Sequence, residues 1–466
     1  MKAQQLAPVL ALLVATACGG SPAPARPALL PLMPPAPAPT VVEAPPAEPP
    51  PTVDGDVTFG TAGGVEVVFK RIPGAEFAAA QLVVRGGARN ITAANAGIEQ
   101  LALLTAATGG TKSLDKTAYS RRLATLGARI YGEAGNDYSQ LTMKVPVGAW
   151  DGAFALLADV FRNPALPPSE IEVVRTQTLA QLHHEQEDPD GQLWTLERKQ
   201  IYAGHPYANR PVGTLDSVTA IHAEELGPYL SRLRETSRLV FVAAGDLEPQ
   251  HVFDAVRSAF GDLPRGTYVD APLPALVFDA PHLVTDQRKL PTNYCESVFP
   301  APRPTDPEWI TGLVAIHGYS WRLWQEVRTK RNLTYSVNAF IDTALSRPFG
   351  AMTVSAVDPN AAMKVMLDEA RRLRDEPIGD EELAGFKSTF LTEFVEQHET
   401  PEGQVYALVQ AELLGGDWRL SRGVPERVRA VTAADIQAFA RKYIGHMQAA
   451  VVGDPAKVDA GLFTSL

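Results

Sequence analysis

Apolar and polar residues alternate with period two at 65–70, 77–84 and 138–145, which predicts half-buried strands. Apolar residues recur with helical spacing at 149–161, 170–186 and 192–202, which predicts amphipathic helices. The same series returns later: strands around 294–299, 333–340 and 351–356, then helices at 359–374, 381–397 and 403–414. Two fully apolar runs end in Gly-Asp, LVFVAAGD at 239–246 and MQAAVVGD at 447–454. Helix-like segments follow them at 249–260 and 455–462.

These recurrences form a repeat. Gly245 matches Gly453, 208 residues on. Val218-Thr219-Ala220 matches Val431-Thr432-Ala433 at 213, each read as a helix start behind a Thr cap. Gly191-Gln192-Leu193 matches Gly403-Gln404-Val405 at 212. The chain therefore reads as two related halves of ~200 residues, at 57–265 and 275–466, joined through the Pro-rich stretch 263–281. Several strands follow one another without a helix between them. That favours antiparallel pairing and an α+β class over a doubly wound sheet.

The first 56 residues differ in kind. Lys2, an apolar stretch from Leu6 to Ala15 and small residues before Cys18 read as an export signal over 1–18. A Cys placed there resembles a bacterial lipoprotein box, so Cys18 is the expected lipidation site. Thirteen prolines fall within 22–51, and the segment 19–56 is expected to be a disordered tether. At ~3.1 Å per residue the Pro-rich part, 22–51, could reach on the order of 90 Å. The expected location is the cell envelope or periplasm, lipid-anchored to a bacterial membrane.

Composition narrows the remainder. The 466 residues are 45% hydrophobic with a net charge of −11. That is globular material whose acidic balance argues against a nucleic-acid partner. Two cysteines, Cys18 and Cys295, exclude a disulfide scaffold and a cysteine-rich metal cluster. Cys295, in a strand pattern, is expected to be buried and inert.

The repeat and its phrases resemble the insulinase-like (M16, inverted-zinc-motif) metallopeptidase family. Phe260-Gly261-Asp262-Leu263-Pro264 closes the first half. His205-Pro206-Tyr207 precedes Pro211-Val212-Gly213-Thr214. Arg322-Leu323-Trp324-Gln325-Glu326-Val327-Arg328 leads into Leu333-Thr334-Tyr335-Ser336-Val337. The resemblance implies two M16-type domains, each a mainly antiparallel six-stranded sheet with helices on one face, together forming one jaw of a hollow peptidase.

Active members carry H-x-x-E-H, whose histidines at i and i+4 share one helix face and converge on zinc while the Glu serves as base. Counting from Gly97, the corresponding positions here are Gln100, Leu103 and Leu104, and the spacing to the last ligand lands on Gln181. No histidine occurs in residues 1–182. No cofactor is expected in this chain; zinc is expected in a partner. The two leucines are expected in the core. In the family, an Arg/Tyr pair corresponding to Arg328 and Tyr335 reaches across the chamber to the scissile carbonyl and the oxyanion. Spacing alone makes Arg328 a solvated helix residue and Tyr335 a half-buried strand aromatic.

The resemblance thus implies the zinc-lacking subunit of a heterodimeric endopeptidase. Its partners would be a homologous H-x-x-E-H subunit and unfolded peptide substrates. Two other readings stand beside it: a non-catalytic envelope scaffold or peptide-binding protein with a retired peptidase fold, and an independent peptidase with relocated metal ligands. Adjacent His183 and His184 point about 100° apart and suit a solvated helix end rather than a metal. His205 reads as a packed loop residue. No G-x-S-x-G elbow or phosphate-cradling glycine loop occurs.

Overall fold

The computed structural model describes residues 48–466. Cys18, the export signal and most of the expected tether lie outside the described residues. The strands are β1 Thr52–Asp54, β2 Val57–Ala62, β3 Val65–Arg71, β4 Phe77–Arg85, β5 Arg129–Ala134, β6 Tyr138–Pro146, β7 Leu239–Gly245, β8 His282–Gln287, β9 Asn293–Pro300, β10 Thr334–Ile341, β11 Phe349–Ala356 and β12 Gln448–Gly453. The first-half helices are α1 Ile98–Thr108, α2 Lys116–Leu126, α3 Trp150–Arg162, α4 Pro168–Glu187, α5 Pro189–Ile201, α6 Leu215–Ala220, α7 Ala223–Leu233 and α8 Pro249–Phe260. The second half has α9 Trp309–Leu323, α10 Pro359–Asp375, α11 Asp380–Gln397, α12 Pro401–Gly415, α13 Val424–Ala430, α14 Ala433–Tyr443 and the single turn α15 Ala460–Phe463.

The class is α+β, and the repeat is explicit in the sheet orders. The first sheet runs β1-β2-β3-β7-β4-β6-β5 and the second, read from its other end, β8-β12-β9-β11-β10. Five strands correspond one to one. In each set a single parallel pair, β3 with β7 and β8 with β12, interrupts an antiparallel sheet. The sheets have seven and five strands rather than six each. The surplus is the β1–β2 hairpin at the edge of the first sheet, turned through Gly55 at φ +62. Its first strand falls inside the stretch read as tether. There Glu48 also accepts the Gly63 and Gly64 N–H groups at 3.0 and 2.6 Å, so residues 48–56 belong to the fold.

A second difference concerns the helices. One face of the first sheet packs under its own α1, α3, α7 and α8, around Phe69, Leu82, Phe154, Phe241 and Phe260. The opposite face is covered by α12 of the other half: Val405, Leu408 and Val409 lie against Val68, Val83, Val240 and Val242. Reciprocally, α5 of the first half lies on β9 and β12 of the second sheet, with Leu193 against Ala450 and Val452. The halves exchange one helix each. β7 and β12 are therefore buried on both faces, which is why they read as unbroken apolar runs rather than alternating ones.

The repeat register also needs one correction. Thr432 caps α14, accepting the Asp435 N–H at 3.2 Å, but Thr219 sits in the last turn of α6 and donates to the Leu215 carbonyl at 2.7 Å. The helix corresponding to α14 starts at Ala223, where Glu225 accepts the His222 N–H at 2.7 Å. The two corresponding helix starts, Ala223 and Ala433, therefore lie closer in offset than the tripeptide match suggested. The expected helix at 455–462 is a tight turn at Pro455–Lys457 followed by α15.

Candidate functional site

The helix on which the resemblance places the zinc-motif positions is α1, and its start is fixed by backbone packing. Gly97 is left-handed at φ +92, and a Cβ there would meet Val218 Cγ2 at 2.8 Å and Gly213 Cα at 3.1 Å. The phrase Pro211-Val212-Gly213-Thr214 thus seats α1, and neither glycine has room for a side chain.

Along α1 each expected position has a structural occupation. The Gln100 carboxamide oxygen accepts the Ala134 N–H at 2.7 Å, capping the edge of β5. Leu103 is 1% exposed, in the first core, and its carbonyl abuts Gly132, where a Cβ would sit 2.8 Å away. Leu104 is partly buried against that core. Gln181 lies exposed on α4. Glu99, just before these positions on α1, is buried and accepts the Tyr229 hydroxyl; burial raises its pKa. Among the described residues no group of three or more His, Cys, Asp or Glu side chains is arranged to hold a metal.

The other histidines also have plain surroundings. His183 and His184 are exposed at the end of α4, and the neighbouring Glu185 takes both bonds from one Arg210 nitrogen, at 2.6 and 2.8 Å. His205 is buried. Its Nδ1 accepts the Tyr207 N–H at 3.1 Å, and burial lowers its pKa. Tyr207 donates to Asp137 at 2.6 Å. Asp137 also accepts the Ser346 N–H at 2.9 Å and pairs with Arg89 at 3.0 Å. The His-Pro-Tyr phrase therefore builds a polar joint between the two halves. Cys295 is buried, which pushes its thiol up to about 12.

Arg328 and Tyr335 are brought together. α9 runs into a π-helical turn at Trp324–Thr329, where the Lys330 N–H reaches the Gln325 carbonyl at 2.9 Å; such turns recur at functional sites. Asn332, left-handed at φ +52, then sends the chain into β10. This local reversal sets the Arg328 guanidinium carbon 4.3 Å from the Tyr335 ring centroid and 5.6 Å from that of Trp324, within cation–π range.

Nearby charges are otherwise engaged. Glu326 takes Lys330 at 2.5 Å and Arg331 at 2.6 Å. Arg322, the first arginine of the phrase, is buried and bonded to Glu382 at 2.6 and 2.8 Å. Among the described residues, the Arg328 guanidinium and the Tyr335 hydroxyl have no hydrogen-bond or ion-pair partner. Tyr335 is 81% exposed rather than half-buried, because its ring lies over the arginine instead of against the sheet.

Two of the cavities among the described residues bear on the site. One of about 700 Å³ lies between the halves, and Arg328 and Tyr335 are not among its lining residues. The other, of about 530 Å³, lies between α9, β10 and α11 and is walled by Trp321, Trp324 and Phe390. At its floor the ring of His317 is 3.0 Å from the Thr389 hydroxyl through Nε2 and 3.6 Å from Glu393 through Nδ1. Burial lowers the His317 pKa while Glu393 opposes the shift. This pair is not legible in the sequence. Its only sequence signal was α9 itself, the counterpart of α1, and no motif surrounds it.

Comparison with known proteins places these features among peptidase-like chains. Residues 66–214 match the model of insulinase (peptidase family M16), and residues 220–390 match the peptidase M16 inactive domain. An uncharacterized zinc protease of Mycobacterium bovis is 25% identical over 408 residues, 84% of this chain and 92% of its own. A non-peptidase homolog of Helicobacter pylori is 23% identical over 241 residues, 49% of this chain and 54% of its own. The crystal structure of a peptidase M16 inactive domain from Pseudomonas fluorescens superposes with a TM-score of 0.77 at 19% identity, over 85% of this chain and 98% of that one.

Proposed function

This chain belongs to the insulinase (M16) peptidase family, and from that premise we propose that it is a zinc-less subunit supplying hydrogen-bond donors to the active site of an H-x-x-E-H partner. The observation that carries the reading is the stacked pair Arg328–Tyr335, held at 4.3 Å with its donors unengaged among the described residues. It occurs in a chain whose ligand positions are Gln100, Leu103, Leu104 and Gln181. A guanidinium and a phenol both donate without losing a proton at neutral pH. They suit a carbonyl that becomes an oxyanion, because donors fixed in place stabilise the charge as it develops.

In this reading zinc and the general base belong to the partner, and the substrate is an unfolded peptide lying between the two subunits. The exported, lipid-anchored placement drawn from Cys18 belongs to the same proposal.

The test pairs this protein with an H-x-x-E-H homologue and follows cleavage of a quenched fluorescent peptide. Tyr335→Phe is expected to lower kcat by ~10²-fold with little change in KM, the scale of removing one oxyanion donor. The fold should be unaffected, since the hydroxyl is exposed. A pair that cleaves equally well with Tyr335→Phe refutes the assignment. A second reading, an envelope scaffold with a retired peptidase fold, is favoured by the relative named as a non-peptidase homolog. It predicts that no H-x-x-E-H homologue co-purifies.

A further inference from the structure

The cavity between the halves contains polar groups that the fold leaves unused. Arg198 on α5 stacks on Trp194, its guanidinium carbon 4.0 Å from the ring centroid. Its Nε is buried without a partner, and among the described residues no carboxylate lies within the 4.0 Å of an ion pair. The Tyr202 hydroxyl, at the C-cap of α5 and also on the cavity wall, is buried without a partner, as is the Gln140 side-chain oxygen from β6. Each such orphan costs ~1–3 kcal/mol if left dry, and an unpaired arginine costs more. Two of the groups donate and one accepts.

The surrounding acids do not satisfy Arg198. Asp137 is committed to Tyr207, Ser346 and Arg89. Glu133 accepts Gln140 Nε2 at 3.3 Å. Asp342 accepts the Ala344 N–H at 3.1 Å, and burial raises its pKa. Burial likewise raises Glu197 and Asp190, and raises Glu296 against the opposing pull of Arg198; among the described residues none of these carboxyls lies within ion-pair distance of the arginine. Of the other cations on the wall, Arg210 is engaged by Glu185 and Lys199 is exposed.

We propose that this cavity binds a carboxylate carried by a peptide. The carboxylate would sit on Arg198 and the Tyr202 hydroxyl, with an adjoining peptide N–H donated to Gln140. The choice of a peptide as carrier rests on the family reading above; the choice of a carboxylate rests on Arg198 and Tyr202 alone. A C-terminal carboxylate and an acidic side chain share this chemistry.

The experiment uses the full chain without any partner and reads fluorescence anisotropy at neutral pH. The probes are a short fluorescein-labelled Ala-Leu peptide with a free C-terminus, its C-terminal amide, and that amide carrying one internal Glu. The free acid is expected to bind about tenfold tighter than the plain amide. If the Glu-bearing amide matches the free acid, any peptide carboxylate serves; if it matches the plain amide, the site reads C-termini. Arg198→Gln should abolish the preference and Arg198→Lys should restore part of it.

Equal binding of all three peptides to the unmodified protein overturns the proposal, even if the variants fail to fold. The measurement needs neither a partner subunit nor peptide cleavage. A failed peptidase assay with an intact carboxylate preference would therefore sink the subunit reading and spare this one.

Discussion

Glu296 offers a test of the exchanged-helix architecture through pH. It stands mid-way along β9 and is 2% exposed. Its strand neighbours on the same face, Tyr294 and Val298, pack in the clusters that include α5 residues, so its carboxyl is covered by a helix from the other half. One of its oxygens has no partner. Burial, against the opposing pull of Arg198, lifts its pKa from 4.5 to about 7. The folded state therefore holds a proton that the unfolded chain has already released, and this contribution to stability is lost as pH rises from about 4.5 to about 7.

At ~1.36 kcal/mol per unit the loss is about 3 kcal/mol. Glu296→Gln keeps the shape and removes the charge. The cost of an imperfectly bonded amide is the same at every pH, so it cancels when the variant's effect at pH 5 is subtracted from its effect at pH 8. That difference should be 2–3 kcal/mol in favour of the variant at pH 8. Glu197 beside it, whose pKa is raised by burial and by Glu296, should also titrate lower once its neighbour is neutral, flattening the profile further. Urea denaturation followed by tryptophan fluorescence at the two pH values measures it. Parallel curves for variant and parent at pH 5 and pH 8 would refute the burial of this carboxyl beneath α5.

Two more predictions probe the joint between the halves. Asp137→Ala leaves Arg89 and Tyr207 without their shared acceptor and should cost 3–5 kcal/mol in urea denaturation, as expected for breaking a buried charge network. Leu408→Ala, on the face of α12 that covers the first sheet, should cost 2–5 kcal/mol. If the exchange makes the halves one unit, it should shift a single calorimetric transition rather than split it.

Much of this arrangement was legible in the residues, and the exceptions have physical causes. Helices α3, α4, α8, α10, α11 and α12 lie within a few residues of their predicted positions, because each carries an apolar stripe at helical spacing or a Pro or cap at its start. The two Gly-Asp runs are central strands. What periodicity could not reveal was their second face: an unbroken apolar run says that both sides are covered but not by what, and the cover comes from residues about 165 and about 260 positions away. The β1–β2 hairpin was hidden by the prolines before it, although Asp54-Gly55 is a turn signal. For the site, the family phrase around Arg328 and Tyr335 brought two ordinary residues to attention, but only the π turn and the reversal at Asn332 show how they meet. His317 and Arg198 carry no motif at all; packing alone makes them notable.

The exchange of α5 and α12 also shows where this fold concentrates its stability. Each sheet needs the other half's helix to cover its second face, so the pressure to keep a folded chain falls on Leu193, Leu408, Asp137 and their neighbours. It does not fall on Gln100 and Leu103 of α1, the positions the family resemblance pairs with ligands. There a leucine at 103 extends the core, and a glutamine at 100 satisfies the backbone of an edge strand that would otherwise present a bare N–H. Those two residues do for stability what ligands in the same places would not: an imidazole and a carboxylate clustered without a metal would leave buried polar groups to be satisfied. Stability and metal chemistry thus compete for the same helix face. In this chain the face serves stability, and the unengaged donors lie on the other half, at the exposed start of β10.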